Sequence, residues 1–167
     1  ENATNNKIDL AIVNAGTIFE GLPKGLLSSA DVNGMFKFNA LATDLACVAE
    51  LRGHDLFLAF KRSAENYSSS IRLITSSHVK ITYSPGSNEF DQILIDGEEL
   101  KNNFTKTYNV VLNSYILQGS DGYGMLLNGA VNPSCYSYLS EAVYDYLAEY
   151  KILAPKYDGR LVLNIGE

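Results

Sequence analysis

Short apolar segments, separated by glycine, proline and small polar residues, recur along the chain and predict a set of β-strands. Residues 8–14 (IDLAIVN) form an apolar run closed by an asparagine, a pattern typical of a buried strand. Residues 78–84 (HVKITYS) alternate apolar and polar side chains instead, which predicts a strand with one buried face. Residues 45–51 predict a strand or another buried segment, and the remaining predicted strands are residues 91–96, 107–117 and 159–165.

Helical spacing or helix start signals appear in three segments. Gly53–Glu65 (GHDLFLAFKRSAE) places apolar side chains near helical spacing and predicts an amphipathic helix. Residues 140–153 carry an apolar stripe, with Ser140 expected as the N-cap, and a short helix from Ser29 is expected to end at Gly34. Because strands and helices mix without a regular βαβ rhythm, the prediction is an α+β domain with a mixed sheet and flanking helices.

Length and composition suit one globular domain. The chain has 167 residues, of which 46% are hydrophobic, enough for a core of its own. No apolar run approaches the length of a bilayer span, so no transmembrane segment is expected, and no signal peptide is visible. The polar residues 1–7 (ENATNNK) are expected to be a linker or the boundary of a fragment, and residues 8–167 to form the domain.

Charge and histidine content exclude two classes of function. The net charge of −6, without a cluster of lysine and arginine, argues against binding a nucleic acid polymer. The two histidines, His54 and His78, lie outside every metal-ligand spacing, and each is expected to be a surface or cap residue. The chain alone is therefore not expected to build a metal site.

Cysteines and glycosylation sequons bear on the compartment. Cys47 and Cys135 could pair in an oxidising compartment or remain two small buried thiols, and the sequence leaves both open. Asn-x-Ser/Thr sequons occur at Asn2, Asn66 and Asn103. These sequons weakly favour a secreted glycoprotein.

The most distinctive segment, SYILQGSDGYGML at residues 114–126, sets an aspartate among glycines. Tyr115 could stack on a flat base, and the Asp121 carboxylate could accept hydrogen bonds from a ribose diol. The structural alternative is that Tyr115 packs in the core and Asp121 caps its own turn. Spacing alone favours the structural alternative.

This segment and its surroundings resemble a known family. An aromatic residue followed closely by Gly-Gly-Asp-Gly-aromatic is a late signature of the C-terminal domain of the 5′-nucleotidase family, and it stands here as Tyr115 and residues 119–123 (GSDGY). TYNVVLN resembles the family strand TYxVxxN, and residues 51–65 and the segment ILAPKYDGRLVL resemble family segments as well. The family includes ecto-5′-nucleotidases, bacterial UDP-sugar hydrolases and soluble apyrases of blood feeders. The likeness runs from about residue 8 to the C-terminus.

The resemblance implies a division of work between two domains. In this family an N-terminal domain holds two divalent metal ions of the zinc type and hydrolyses the phosphate ester, while the C-terminal domain stacks the base between two aromatic rings. Tyr115 then matches the second ring, Asp121 the ribose-binding acid, and Asn14 and Gly16 the NxGGxR loop, which reads NAGTIF here. The catalytic domain and its metal ions are expected outside these 167 residues, with no cofactor within them.

Two family features differ in this sequence. The arginine of the NxGGxR loop is replaced by Phe19, which cannot donate to an anion, and Lys24 could replace it only as a point charge. The family's PFGN motif, whose phenylalanine is the first clamp ring, is absent as such. Counting from the preceding helix matches that ring to Phe38 with Asn39 beside it, whereas counting back from the following strand gives Ala42. We prefer Phe38 and Asn39, and the alternative for Phe38 is a core residue beside Phe36.

The leading hypothesis is therefore a domain that recognises a nucleoside or nucleotide for a metal-dependent phosphohydrolase whose catalytic domain lies outside this chain. The alternative is a degenerate, non-catalytic family member that acts as a secreted binding or structural protein, a hypothesis motivated by Phe19 and the altered PFGN motif. An unrelated secreted adhesion module rests only on sequons and tyrosine content. Each of these hypotheses predicts an extracellular, cell-surface or periplasmic location.

Overall fold

The computed structural model describes residues 7–36, 45–87, 89–129 and 134–164. The strands are β1 Leu10–Asn14, β2 Leu45–Arg52, β3 Leu73–Thr75, β4 Val79–Ser84, β5 Glu89–Ile95, β6 Glu98–Glu99, β7 Thr107–Asn113, β8 Ser134–Tyr138 and β9 Leu161–Leu163. The helices are α1 Ser29–Gly34, α2 Gly53–Glu65, α3 Ser114–Leu117 and α4 Leu139–Tyr150. Short 3₁₀ turns lie between several of them.

The strands form two mixed sheets. The first has the order β3-β1-β7-β2-β8, and the second has the order β6-β5-β4-β9. In the first sheet β7 pairs in parallel with β1 and antiparallel with β2. Because β1 and β7 run parallel, their last residues, Asn14 and Asn113, emerge at the same edge of the sheet. This edge carries the candidate site.

Helix α2 contacts both sheets, at β2 and at β5. Its apolar positions account for this, since Leu56, Ala59 and Phe60 are fully buried. The Phe60 ring also meets Phe90 of the second sheet edge to face, with ring centroids 6.4 Å apart. The apolar face of one amphipathic helix therefore joins the two sheets into one core.

Most predicted elements are confirmed. The predicted helix Gly53–Glu65 is α2 with the same bounds, and the helix predicted from Ser29 is α1, which ends at Gly34. The α+β prediction is confirmed, although the strands divide between two sheets. Strands β3, β6 and β8 were not predicted, because β3 and β6 have only three and two residues and β8 lies beside loop-like sequence.

The last two elements are shorter than predicted. The last helix ends at Tyr150 instead of residue 153, and the last strand begins at Leu161 instead of residue 159.

Two further boundary predictions are wrong. The strand predicted at residues 107–117 ends at Asn113, and Tyr115 lies on the single helical turn α3. Ser140 is not the N-cap of the last helix, because α4 begins at Leu139 and the Tyr138 backbone N–H donates to Glu141 Oε2 at 3.2 Å. β-Branched composition and a good capping residue are local signals, and packing moved both boundaries.

The cysteine question is settled for Cys47, which is disulfide-bonded and fully buried in β2. The backbone of Cys135, the other cysteine of the sequence, lies opposite it in β8. Within the described ranges, no helix is long and apolar enough to cross a membrane.

Candidate functional site

Asn14, Thr17 and Asn113 form a buried group, the amide cluster, where β1 and β7 end. The Thr17 hydroxyl donates to Asn14 Oδ1 at 2.8 Å. Asn113 Nδ2 donates to Asn14 Oδ1 at 3.0 Å and to Thr17 Oγ1 at 3.1 Å. Because Asn14 Oδ1 receives both donors, the Asn14 amide has one favourable orientation, in which its Nδ2 points away from the cluster.

The amide cluster leaves one buried acceptor unpaired, because Asn113 Oδ1 has no hydrogen-bond partner among the residues that the structure describes. Rotating that amide by half a turn would bring its oxygen against Asn14 Oδ1, so that two acceptors would face each other. An unpaired buried acceptor costs roughly 1–3 kcal/mol. The two hydrogen bonds to Asn14 Oδ1, which hold Asn14 in place, exist despite that cost.

Asp121 lies in a left-handed loop opposite the amide cluster. Its φ is 58° and its ψ is 18°, a conformation that costs most residues roughly 1–2 kcal/mol and that Gly, Asn and Asp tolerate best. Gly119 and Gly122 also have positive φ, 82° and 83°. The loop is anchored at its end by Tyr123, a fully buried residue whose hydroxyl donates to the Ile71 carbonyl at 2.6 Å. Burial raises the pKa of the Tyr123 phenol.

The structure brings Tyr115, Asp121 and Asn14 together. The Tyr115 hydroxyl donates to Asp121 Oδ1 at 3.0 Å, and Asn14 Nδ2 donates to Asp121 Oδ2 at 3.4 Å. The hydrogen bond to the carboxylate raises the pKa of the Tyr115 phenol above its ordinary value. A carboxylate offers about four acceptor positions, so Asp121 retains acceptor capacity beyond these two bonds. The half-buried Tyr115 ring packs against the core beside it.

Gly16 follows Asn14 closely and packs against the chain near Ser70. The Gly16 N–H donates to the Ser70 carbonyl at 2.6 Å, and a Cβ at Gly16 would lie 3.2 Å from that oxygen. Such a contact is tighter than most Cβ contacts, so glycine permits this close approach. Gly16 therefore shapes the loop that carries Asn14.

The other side of the predicted clamp lies partly outside the residues that the structure describes. Phe38, Asn39 and Ala42 lie outside the described residues, so both alignments of the first ring stay predictions. Phe19 is 65% exposed, and its backbone N–H donates to the Met35 carbonyl at 2.7 Å. Lys24 is exposed as well.

Sequence reasoning missed Thr17, Asn113 and Arg62. Asn113 closes the apolar run TYNVVLN as Asn14 closes IDLAIVN, and this shared pattern was the available signal. The Arg62 guanidinium donates to the Asp121 backbone carbonyl from Nε and from Nη2, each at 3.2 Å. No sequence signal links Arg62 to that loop. Among the residues that the structure describes, no group of three or more His, Cys, Asp or Glu side chains could hold a metal ion.

Comparison with known proteins relates this fold to one family. The chain matches the family described as "5′-nucleotidase, C-terminal domain" over residues 3–128. It is 28% identical over 166 residues to a 5′-nucleotidase-related protein of Glossina morsitans morsitans, covering 92% of this chain and 29% of that protein. It is 26% identical over 175 residues to the snake venom 5′-nucleotidase of Naja atra, covering 96% of this chain and 32% of the venom protein.

Solved structures share the fold at lower identity. The 5′-nucleotidase precursor from Thermus thermophilus matches with a TM-score of 0.80 and 22% identity, over 96% of this chain and 32% of that one. The NAD nucleotidase of Haemophilus influenzae matches with a TM-score of 0.76 and 13% identity, over 96% of this chain and 30% of that one. The chain spans about a third of the length of the relatives it matches. It belongs to the 5′-nucleotidase family and has the fold of that family's C-terminal domain.

Proposed function

We propose that this domain binds a nucleoside or nucleotide, with the base against the Tyr115 ring and the ribose diol on the Asp121 carboxylate. The observation that carries the proposal is that Tyr115 of α3 and Asn14 of β1 both donate to the carboxylate of Asp121. An aspartate that only capped its own turn would not need a hydrogen bond from Asn14, which lies 107 positions away in the sequence. An aromatic face supplies roughly 1–3 kcal/mol of stacking to any base.

The proposed contribution of this site to catalysis is to position the substrate. Holding base and ribose fixes the phosphate relative to the group that attacks it, and such orientation is a large part of enzymatic rate enhancement. Hydrolysis itself is proposed to occur in an N-terminal domain outside these residues, where two divalent metal ions would polarise the phosphoryl oxygens and activate water. That domain is the proposed partner of this one.

The proposed location is extracellular, at the cell surface or periplasmic. The disulfide at Cys47 supports an oxidising compartment, because disulfides persist outside the reducing cytosol. One of the similar proteins is a venom protein, which is consistent with export. Sequons at Asn66 and Asn103 would then make the protein a candidate glycoprotein.

A degenerate family member that binds no nucleotide is the second candidate, and exposed Phe19 in place of the family arginine favours it. The two candidates are distinguished by titrating the 167-residue chain with adenosine, AMP and UMP in a calorimeter. The first candidate predicts saturable binding that Tyr115→Ala abolishes. The second predicts no response to any of the three ligands.

Asp121→Asn tests the carboxylate, and Asp96→Asn is its matched control. Asp96 also has positive φ, 49°, and is followed by a glycine of positive φ, but it lies in the hairpin turn after β5. Hydrogen bonds to a charged group are worth about 1.5–3 kcal/mol, so Asp121→Asn should weaken nucleoside binding by roughly 10–100-fold. Equal affinities for Asp121→Asn, Asp96→Asn and the unchanged chain would remove the carboxylate from the site.

A further inference from the structure

The Asp121 loop is held from behind by an arginine of helix α2. Arg62 lies in the last turn of α2, 59 residues away in sequence, and its guanidinium reaches the backbone carbonyl of Asp121. Nε and Nη2 both donate to that one oxygen, each at 3.2 Å. This forked contact uses the planar geometry of the guanidinium, which a lysine does not have.

The contact is to the backbone of Asp121 rather than to its carboxylate. An arginine beside an aspartate commonly pairs with the carboxylate, but no such ion pair exists between these two side chains within the described ranges. The carboxylate faces Tyr115 and Asn14 instead. Arg62 therefore fixes the main chain of Asp121, while the Asp121 carboxylate stays available to Tyr115 and Asn14.

Gly122 makes this contact possible. It has a φ of +83°, and a Cβ added there would lie 2.9 Å from Arg62 Nε and 3.0 Å from Nη2. The guanidinium thus lies directly against the glycine that follows Asp121. The second glycine of the GSDGY segment is required both by its own backbone conformation and by the arginine packed upon it.

Helix α2 gives Arg62 a rigid base. The neighbouring residues Ser63 and Ala64 are buried, and Ser63 Oγ accepts the Leu73 N–H at 2.8 Å, which ties the helix to β3. Asn66 Nδ2 donates to the Arg62 carbonyl at 2.9 Å and closes the same turn. Because this end of α2 is held in place, Arg62 can fix the position of the glycine-rich loop that it contacts.

We propose that Arg62 is a positioning residue of the nucleoside site, which keeps Asp121 in its left-handed conformation so that the carboxylate meets Tyr115 and Asn14. The inference rests on the proposed function for its effect on ligand binding. Its structural part, the conformation of Asp121, can be measured without any ligand. An experiment can therefore contradict the effect of Arg62 on the Asp121 conformation without contradicting the proposed nucleoside binding, and the reverse.

The test compares Arg62→Gln and Arg62→Lys with Arg52→Gln, which removes the same charge from an exposed side chain at the other end of α2. Positive φ brings an amide proton close to its own Hα, so the intraresidue amide–Hα NOE of Asp121 is strong in the native loop. In Arg62→Gln this NOE should weaken and adenosine affinity should fall about tenfold, as expected for the loss of a charge-assisted contact. Arg52→Gln should change neither.

Arg62→Lys separates geometry from charge. A single ammonium cannot reproduce the fork, so the NOE and the affinity should both lie below those of the unchanged chain. Gly122→Ala reaches the same contact from the loop side, because its Cβ would displace the guanidinium, and it should lower adenosine affinity as well.

The proposal is overturned if Arg62→Gln keeps both the strong Asp121 NOE and adenosine affinity within twofold of the unchanged chain. It is also overturned if the NOE weakens without loss of affinity while Asp121→Asn does weaken adenosine binding, because Arg62 would then shape the loop without affecting the site. If Asp121→Asn binds adenosine normally, the proposed function fails instead.

Discussion

The Thr17 hydroxyl can be removed from the amide cluster with little change of shape, because valine has the same branching at Cβ and the same χ1 restriction. Thr17 is 2% exposed and takes part in two of the cluster's hydrogen bonds, one donated to Asn14 Oδ1 and one accepted from Asn113 Nδ2. Thr17→Val deletes both bonds. It also leaves one N–H of buried Asn113 without an acceptor.

The expected loss of unfolding free energy is about 2 kcal/mol. A buried donor left unpaired costs roughly 1–3 kcal/mol. The added methyl group would return about 0.8 kcal/mol in apolar surroundings, but here it faces two side-chain amides. For a domain of this size, such a loss corresponds to a melting temperature lower by about 4–8 °C.

Urea denaturation followed by circular dichroism measures this loss, and Thr17→Ser is the matched control. Serine keeps the hydroxyl and removes only the methyl group, so its loss should be smaller than that of Thr17→Val. Since the hydroxyl also selects the orientation of the Asn14 amide, Thr17→Val should weaken adenosine binding as well. The reasoning is refuted if Thr17→Val unfolds within about 0.5 kcal/mol of the unchanged chain, or if serine costs as much as valine.

Two further predictions concern Tyr115 and Gly53. The hydrogen bond to Asp121 raises the folded pKa of Tyr115 above its ordinary value of 10.0, so its stabilising effect should be complete below pH 10.0 and be lost as the pH rises through the folded pKa. The difference in unfolding free energy between the unchanged chain and Tyr115→Phe should therefore shrink above that pH; a constant difference would contradict the linkage. A Cβ at Gly53 would lie 2.1 Å from the Asn103 carbonyl oxygen, so Gly53→Ala should cost about 3 kcal/mol. A Cβ at Gly34 would meet no described atom within 4 Å beyond its chain neighbours and the backbone of its own helix, so Gly34→Ala should cost less than about 0.5 kcal/mol in the same urea experiment. Similar losses in the two alanine variants would show that the contact at Gly53 relaxes freely.

Local sequence patterns were informative wherever one element buries one face. Helix α2 appeared with its predicted bounds because its apolar side chains at helical spacing form one buried face. Strand β4 likewise appeared from its alternation of buried and exposed residues. Ser140 was misread because a serine that suits an N-cap can equally occupy a buried position inside the first turn.

Some residues of the candidate site could be proposed from the sequence, and others could be found only in the structure. Tyr115 and Asp121 are six residues apart in a glycine-rich segment, so the sequence could propose them as partners, and their hydroxyl–carboxylate bond follows from that closeness. Asn14 entered only through the family resemblance. The support from Thr17, Asn113 and Arg62 could not be read from the chain, because these contacts join residues 59 to 99 positions apart or depend on which amide faces which.

The sequence by itself determined the α+β class, the bounds of helix α2 and a loop whose glycines permit positive φ, because these depend on periodicity and on backbone sterics within a few residues. The tertiary structure decided the division into two sheets, the disulfide at Cys47 and the contacts of Asp121 with Asn14 and Arg62. Those features depend on which strands become neighbours. The parallel pairing of β1 with β7 places two strand-closing asparagines side by side, and the end of α2 places an arginine behind the loop. Hydrogen bonds between such distant residues therefore depend on how the core packs.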